Sequence, residues 1–401
     1  MSILFGHPTG SPFSYNAALA HFEAGQLDRF CVPWMPSATT LRLLERVKPV
    51  RSLTQRLSRR HFPPLAHSRK VQGKVAEMRR LLFRGLGLDD NRLVNEANDW
   101  LMRTMTRECQ RSSVTAIHAY EDCSLWQFVK AKRLGKACIY DMPIGYYPAW
   151  ERAQTALMKK YADWLPAGGL SPQVPREQKC REIELADLVL VPSSFVADTV
   201  RDFHPDKAVA LAPYGVDLAG WPAAPTRTPQ DTITFLFAGQ CSVRKGVPLL
   251  LEAWRAANLK HARLLLVGSW QLAEVKKKEL PPRCEWVGPV SSQELRRFYH
   301  RADVFVFPTN FEGRALVIGE ALASGLPVLT THASGVEDLV DDACGRVLPP
   351  DNLESVVEGL RWFDQNRHRL PAFSRAARTN AERCTWEHYR WRVTEAVAPL
   401  V

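Results

Sequence analysis

Over most of the 401-residue chain, short apolar runs alternate with stretches whose apolar positions recur every three or four residues. That rhythm predicts parallel strands covered on both faces by helices. In the first half the pattern predicts strands at Ser2–Gly6, Phe30–Trp34, Thr115–Tyr120, Ala137–Tyr140, Leu188–Ser193 and Ala208–Tyr214. In the second half it predicts Ile233–Ala238, Leu264–Gly268, Glu285–Val287, Val304–Pro308, Pro327–Thr330 and Arg346–Leu348. Helical periodicity separates them, as at Ser124–Leu134, Pro248–Ala257, Gln293–Arg301 and Leu353–Asp364. The segment from about 40 to 110 does not read as sheet; it predicts helices broken at Pro49 and at Pro63-Pro64. Trp221–Gln230 holds three prolines, which fix φ and remove donors, so it predicts an extended linker between the halves. The implied architecture is α/β, with two Rossmann-like domains facing across a cleft. The first is expected over 1–215, with a basic helical insertion at about 40–110. The second is expected over 216–385, and 386–401 as a helix crossing back to the first.

Composition narrows the class. Hydrophobic residues make up 46% and charged residues 24%, which excludes a disordered chain. No apolar run reaches the roughly 18 residues that a membrane-spanning helix needs. The first residues lack the basic and apolar blocks of a secretory signal, so a cytoplasmic protein is expected. The nine cysteines are scattered, with no Cys-x-x-Cys unit, and predict buried, reduced thiols. The net charge of +11 is unevenly placed. Arg42–Arg84 carries 13 Lys or Arg against Glu45 and Glu77, leaving 40 basic and 40 acidic residues elsewhere. With Leu41, Leu43, Leu44, Val47, Leu53 and Leu57 interspersed, this segment reads either as a solvated helical face or as a surface for anionic lipid headgroups. No stacking aromatics interleave the charges, so no nucleic-acid partner is expected.

Two constellations carry chemistry. The first is Phe237-Ala-Gly239-Gln240-Cys-Ser-Val-Arg244-Lys245-Gly246, between a strand and a helix. Two cations beside a helix N-terminus suit a diphosphate, although neither a Walker loop nor Gly-x-Gly-x-x-Gly is present. The second is Pro308-Thr-Asn310-Phe-Glu312-Gly313-Arg314-Ala315-Leu316-Val-Ile-Gly-Glu320, closed by Ala-Ser-Gly325-Leu-Pro. Here Gly313 is expected to open a helix that ends at Gly325. Along such a helix Glu312 and Glu320 stand roughly 12 Å apart, too far to flank one glycosidic bond. They suit opposite ends of an elongated ligand whose anionic middle rests on the helix start.

Together these motifs resemble the donor half of retaining, GT-B-fold glycosyltransferases of family 4. Ala186-Asp-Leu-Val-Leu-Val-Pro-Ser-Ser194, Ala212-Pro-Tyr-Gly-Val-Asp217, Trp286-Val-Gly-Pro-Val290 and Thr385-Trp-Glu-His-Tyr389 agree with it. The resemblance is close over about 185–390 and looser over 1–40 and 115–150. It implies that Arg244 and Lys245 neutralise a departing diphosphate, that Glu312 holds the transferred sugar and that Glu320 holds the ribose. It also implies that backbone N–H groups of Arg314, Ala315 and Leu316 meet phosphate. Gly239, Gln240, Gly313 and Asn310 join them in the donor site, and Val287 lines the base pocket. No metal or other cofactor is implied, because the cations do a metal's work. Gly10, Ser11, His118 and Gly215 are expected at the acceptor side or the cleft.

Three positions depart from the family pattern. Gln240 stands where arginine is common. Arg314-Ala315 replaces Phe-Gly and is expected to put a side chain near phosphate or sugar. Asp141 stands where a histidine touches the sugar, and an ionised carboxylate there cannot donate a hydrogen bond. The expectation is therefore a metal-independent transferase moving sugar from a UDP- or GDP-sugar to an envelope lipid or polysaccharide acceptor, with retention. It would work in the cytoplasm or peripherally on the inner membrane face. A nucleotide-sugar epimerase, a phosphorylase with lysine-bound pyridoxal, and a non-catalytic nucleotide-sugar or nucleic-acid binder are the alternatives.

Overall fold

The computed structural model describes residues 2–46, 54, 57, 58, 60–83, 90–166, 176–224 and 231–400. Among them, thirteen strands form two wholly parallel sheets. The first contains β1 (Ser2–Gly6), β2 (Leu27–Val32), β3 (Lys70–Gln72), β4 (Val114–Tyr120), β5 (Ala137–Asp141), β6 (Leu188–Val191) and β7 (Val209–Leu211), ordered β3-β2-β1-β4-β5-β6-β7. The second contains β8 (Ile233–Ala238), β9 (Ala262–Val267), β10 (Cys284–Gly288), β11 (Val304–Phe307), β12 (Val328–Thr331) and β13 (Gly345–Leu348), ordered β10-β9-β8-β11-β12-β13. All twelve sequence-predicted strands are present, with ends displaced by a few residues. β3 is a correction, because it lies inside the segment read as purely helical. Its three residues are half-buried and pair with Phe30, Cys31 and Val32, a signal too short for periodicity to register.

Each sheet has apolar strands because helices cover both faces. Two clusters flank the first sheet, one around Leu101, Met105 and Tyr140 and the other around Phe5, Phe30 and Ile139. A larger cluster encloses the second sheet. In each sheet the strand order reverses once, between β1 and β4 and between β8 and β11. At such a reversal the flanking connections diverge and leave a crevice beyond the carboxyl ends of the strands. Both candidate constellations lie at the second reversal.

The last helix, Trp386–Val397, buries Tyr389, Val393 and Val397 against the first sheet's core. Arg390 ties it to Glu23 and Asn16 of helix Pro12–Glu23. Conversely, Leu157, Tyr161 and Trp164 of the first half pack into the core of the second. Of the expected linker, Trp221–Ala224 packs on the second half, where Ala224 N–H donates to the Ser324 carbonyl at 3.0 Å; positions 225–230 lie outside the described residues. In the basic segment, Leu41 and Leu57 are buried together with Trp34 and Leu44 packed against them. These leucines serve an internal contact rather than an outward apolar face, whereas Leu43 is exposed. Val47 and Leu53 lie outside the described residues.

Candidate functional site

The loop leaving β8 begins at Gly239, whose N–H donates to the Val267 carbonyl, and turns into helix Val247–Ala257 at Gly246. There φ is +73°, and a Cβ would overlap the Pro308 carbonyl oxygen. Only glycine meets both conditions. The loop leaving β11 is pinned to this turn. Asn310 N–H donates to the Arg244 carbonyl at 2.9 Å and Asn310 Nδ2 to the Val243 carbonyl at 3.1 Å, while Thr309 Oγ1 donates to the Arg244 carbonyl. This backbone lacing brings the side chains together: Arg244 Nη1 lies 2.7 Å from Glu312 Oε1, and Lys245 Nζ contacts the other carboxylate oxygen. Arg244 also donates to the Phe311 carbonyl at 2.9 Å.

Two cations sharing one carboxylate leave a single positive charge in a largely dehydrated site. Burial presses the Arg244 guanidinium down to about 10. Burial and then the Arg244 charge press the Lys245 ammonium down to about 6, and contact with Glu312 opposes that shift. An incoming dianion would relieve both effects.

The helix between Glu312 and Glu320 is shorter than expected. It runs Leu316–Ala323, with Ala315 as N-cap and no side-chain cap. Ala315 N–H already donates to the Ser334 carbonyl at 3.1 Å, so it is not free for phosphate. Leu316 occupies the first helical position, where N–H groups have no partner within the helix. Glu320 Oε2 accepts from the Tyr299 hydroxyl at 3.3 Å, and burial pushes its carboxyl up to about 7. Val287 is half-buried in edge strand β10, beside a register irregularity at Trp286/Gly288.

Arg314 is a second correction. It was expected to put a side chain near phosphate or sugar, but its side chain is buried and its donors are engaged within the protein. It donates to the Tyr214 carbonyl (3.3 Å), the Gly335 carbonyl (3.1 Å), both carboxylate oxygens of Asp338 (2.7 and 3.0 Å) and the Cys384 sulfur (3.3 Å). It fastens the loop to the crossings between the halves. Gly313 matters for a similar reason, since a Cβ there would overlap the Pro143 carbonyl oxygen of the first half. Ser193 Oγ donates to the Gly313 carbonyl at 2.6 Å. Phe311 packs against Trp150 and Phe195 of the first half.

On the first half, Asp141 ends β5 and is buried, and burial pushes its carboxyl up to about 7. A proton-bearing carboxyl can donate, which removes the objection raised by the ionised form. His118 is fully buried, with Nδ1 2.8 Å from His21 Nε2 and Nε2 3.6 Å from Asp141 Oδ2. Its full burial corrects the expectation that it lies at the acceptor side or the cleft. Gly215 is filled by backbone, because a Cβ would overlap Trp386 N; it serves the crossing rather than the acceptor. Ser11 caps helix Pro12–Glu23 in a reciprocal capping box with Ser14, and Gly10 precedes it with φ +72°.

Between the halves lies a cavity of about 380 Å³, lined by Trp150, Gln154 and Met158 on one side and Gln240, Arg244 and Gln271 on the other. Sequence reading missed the first-half contributors because a single amphipathic helix, Tyr147–Lys160, gives no sign of which core it will face. It also missed the pair Trp270 and Trp286, 5.9 Å apart with Lys277 4.3 Å from the Trp286 ring. Among the described residues no cluster of His, Cys, Asp or Glu could hold a metal ion.

Residues 232–366, which contain both constellations, match the profile described as "Glycosyl transferases group 1". That stretch, about a third of the chain, is similar to group 1 glycosyltransferases. A Salmonella typhimurium lipopolysaccharide 1,2-N-acetylglucosaminetransferase is 26% identical over 237 residues, 52% of this chain and 61% of that protein. The chain spans about half the length of the curated relatives it matches. Among solved structures, a sucrose-phosphate synthase from Thermosynechococcus elongatus aligns over 100% of this chain and 99% of its own, with TM-score 0.68 at 16% identity. Anabaena Alr3699/HepE, solved in complex with UDP, aligns over the whole of both chains with TM-score 0.61 at 15% identity. These likenesses show the fold, two Rossmann-like domains of the GT-B type.

Proposed function

We propose that the chain is a glycosyltransferase that moves a sugar from a nucleoside-diphospho-sugar, held by its second half, to an acceptor held by its first. The observation that carries this reading is the convergence of Arg244, Lys245 and Glu312 at the strand reversal of the second sheet. Glu312 contacts both cations. A bound diphosphate would take its place on Arg244 and Lys245 and free the carboxylate to accept hydroxyls of the sugar. Glu320 would take the ribose and the Trp286–Val287 edge the base. As the bond between the sugar's anomeric carbon and the phosphate oxygen breaks, its electron pair goes to that oxygen, where the two cations stabilise the growing charge. The acceptor oxygen bonds to the same carbon, and its proton passes to the departing phosphate. With two cations placed in advance, no divalent metal is needed. Retention of configuration belongs to the same proposal and rests on the resemblance to family 4.

UDP or GDP is the expected nucleotide carrier; HepE, with UDP bound, supports the first. The lipopolysaccharide relative supports an envelope lipid or polysaccharide as acceptor. The basic segment Arg42–Arg84 would draw the first half to an anionic membrane surface on the cytoplasmic side. Among the described residues no helix is long and apolar enough to cross a membrane.

A thermal-shift panel of UDP, GDP and their sugars tests the reading. A nucleotide at 100 times its dissociation constant adds about 2.7 kcal/mol of apparent stability. Lys245→Ala should abolish that shift while leaving the unliganded melting temperature nearly unchanged, because Arg244 still pairs with Glu312. No shift with any nucleotide would overturn the donor site. Nucleotide release that needs no acceptor would favour an epimerase or a hydrolytic activity instead.

A further inference from the structure

The strand reversal of the first sheet, between β1 and β4, carries its own unclaimed polar groups. His7 follows β1 and is buried. Its Nδ1 accepts the N–H groups of Thr9 (3.2 Å) and Gly10 (2.9 Å). A ring nitrogen that accepts carries no proton, so the proton of the neutral ring sits on Nε2. That Nε2–H is a buried donor without a hydrogen-bond partner. Burial and then the Arg60 charge keep the ring neutral, holding His7 down at about 3. Tyr15, one turn into helix Pro12–Glu23, is also buried, and its hydroxyl has no partner. The hydroxyl lies against Gly10, where a Cβ would overlap it. Thus two orphaned donors border the same turn, Thr9–Ser11.

The third component is charge. Glu77, fully buried, accepts from Arg80 Nε and Nη2 at 3.1 and 2.9 Å, and its Oε1 forms an ion pair at 2.8 Å with Arg60 Nη1, which is itself a buried donor without a hydrogen-bond partner. Two guanidiniums share one carboxylate, leaving one positive charge whose field reaches both His7 and Tyr15. A buried donor without an acceptor is costly, and here two of them stand near the Arg60 charge, which Glu77 opposes at Tyr15.

Resting on the glycosyltransferase reading, we propose that His7, Tyr15 and Arg60 form an oxyanion subsite for the acceptor, which takes a phosphoryl group carried by that molecule. A tetrahedral oxyanion offers several oxygens to donors arriving from different elements, and charge-assisted bonds to phosphate are the strong ones. The subsite is separate from Arg244 and Lys245, which belong to the opposite half. The turn Thr9–Ser11 roofs His7 and Tyr15, so binding would displace it about Gly10, whose φ of +72° is open only to glycine-like backbone.

The test titrates inorganic phosphate and glycerol 3-phosphate into the full chain saturated with the nucleoside diphosphate that stabilises it, so that the donor site is filled. Wild type should bind both probes. Tyr15→Phe, which removes only an unpartnered hydroxyl, should keep the melting temperature and weaken phosphate several-fold. Arg60→Gln, which leaves Glu77 paired with Arg80, should weaken it about tenfold or more, one hydrogen-bonded charge being worth at least 1.4 kcal/mol. Nucleotide affinity should be unchanged in both. A parallel arm measures binding to phosphatidylglycerol vesicles; a variant effect in that arm alone identifies a lipid headgroup, and one with the soluble probes alone a free phosphate ester. Equal affinity of wild type and both variants in every arm overturns the subsite. Failure of nucleotide binding itself would instead overturn the donor reading on which the subsite rests.

Discussion

Glu320 shows how one buried carboxyl couples folding, pH and ligand. Its folded-state value of about 7 lies above the ordinary carboxylate range, so the folded chain holds a proton there that the unfolded chain releases at lower pH. Stability from this group is fully present below the unfolded value and is lost as pH rises towards 7. Glu320→Gln should flatten that loss, and urea midpoints of wild type and variant between pH 5 and 8 read it directly. If the ionised form grips ribose hydroxyls, nucleotide affinity should strengthen as pH passes 7 in wild type and stay level in the variant. A wild type and variant with parallel pH profiles would remove Glu320 from the site. At this scale the sequence placed residues in one neighbourhood more readily than it gave the direction of their side chains. Arg244, Lys245 and Glu312 meet as their motifs suggested. Arg314, equally prominent in the same motif, points the other way. Its acceptors are carbonyls and a carboxylate from residues 214, 335, 338 and 384, and no local spacing encodes that convergence.

The elements were legible wherever periodicity had room to repeat. Eleven strands of four to seven residues announced themselves, as did the three-residue β7, set in the longer apolar run Ala208–Tyr214, whereas β3, equally short but among polar residues, did not. The helix after Glu312 was expected to begin at Gly313, yet it starts at Leu316, because Gly313 and Ala315 are held by Ser193 and Ser334 before the helix can form. Turns with positive φ are the most exacting joints in these elements. Gly246→Ala would force a Cβ into the left-handed region and against the Pro308 carbonyl. We expect a loss of about 2 kcal/mol or more in chemical denaturation, with nucleotide binding weakened further because the turn carries Arg244 and Lys245. An unchanged denaturation midpoint would show that the turn can relax without glycine.

For the whole molecule, the chain passes between its halves near Val216 and again near Thr385, and the two passages touch: Val216 N–H donates to the Cys384 carbonyl at 2.9 Å, and Val216 pairs with Thr385. Arg314 grips both passages from the donor loop through the Tyr214 carbonyl and the Cys384 sulfur. Replacing it with methionine leaves the Tyr214 carbonyl with the Cys384 thiol as donor and removes the Arg314 bond to the Gly335 carbonyl, while Asp338, half exposed, regains water. The expected cost is roughly 2–4 kcal/mol in urea unfolding. Nucleotide should also lose part of its influence on acceptor affinity, measurable as a smaller fold-change between empty and nucleotide-loaded protein. Such coupling through a distant fastening could not be read from the sequence, in which residues 214, 314 and 384 belong to three separate motifs. Two chain passages joined by a single bridge pair, Val216 with Thr385, act as a pin where the lobes meet. Any opening of the lobes should therefore centre on that pin, and probes placed at their far rims would trace an arc about it.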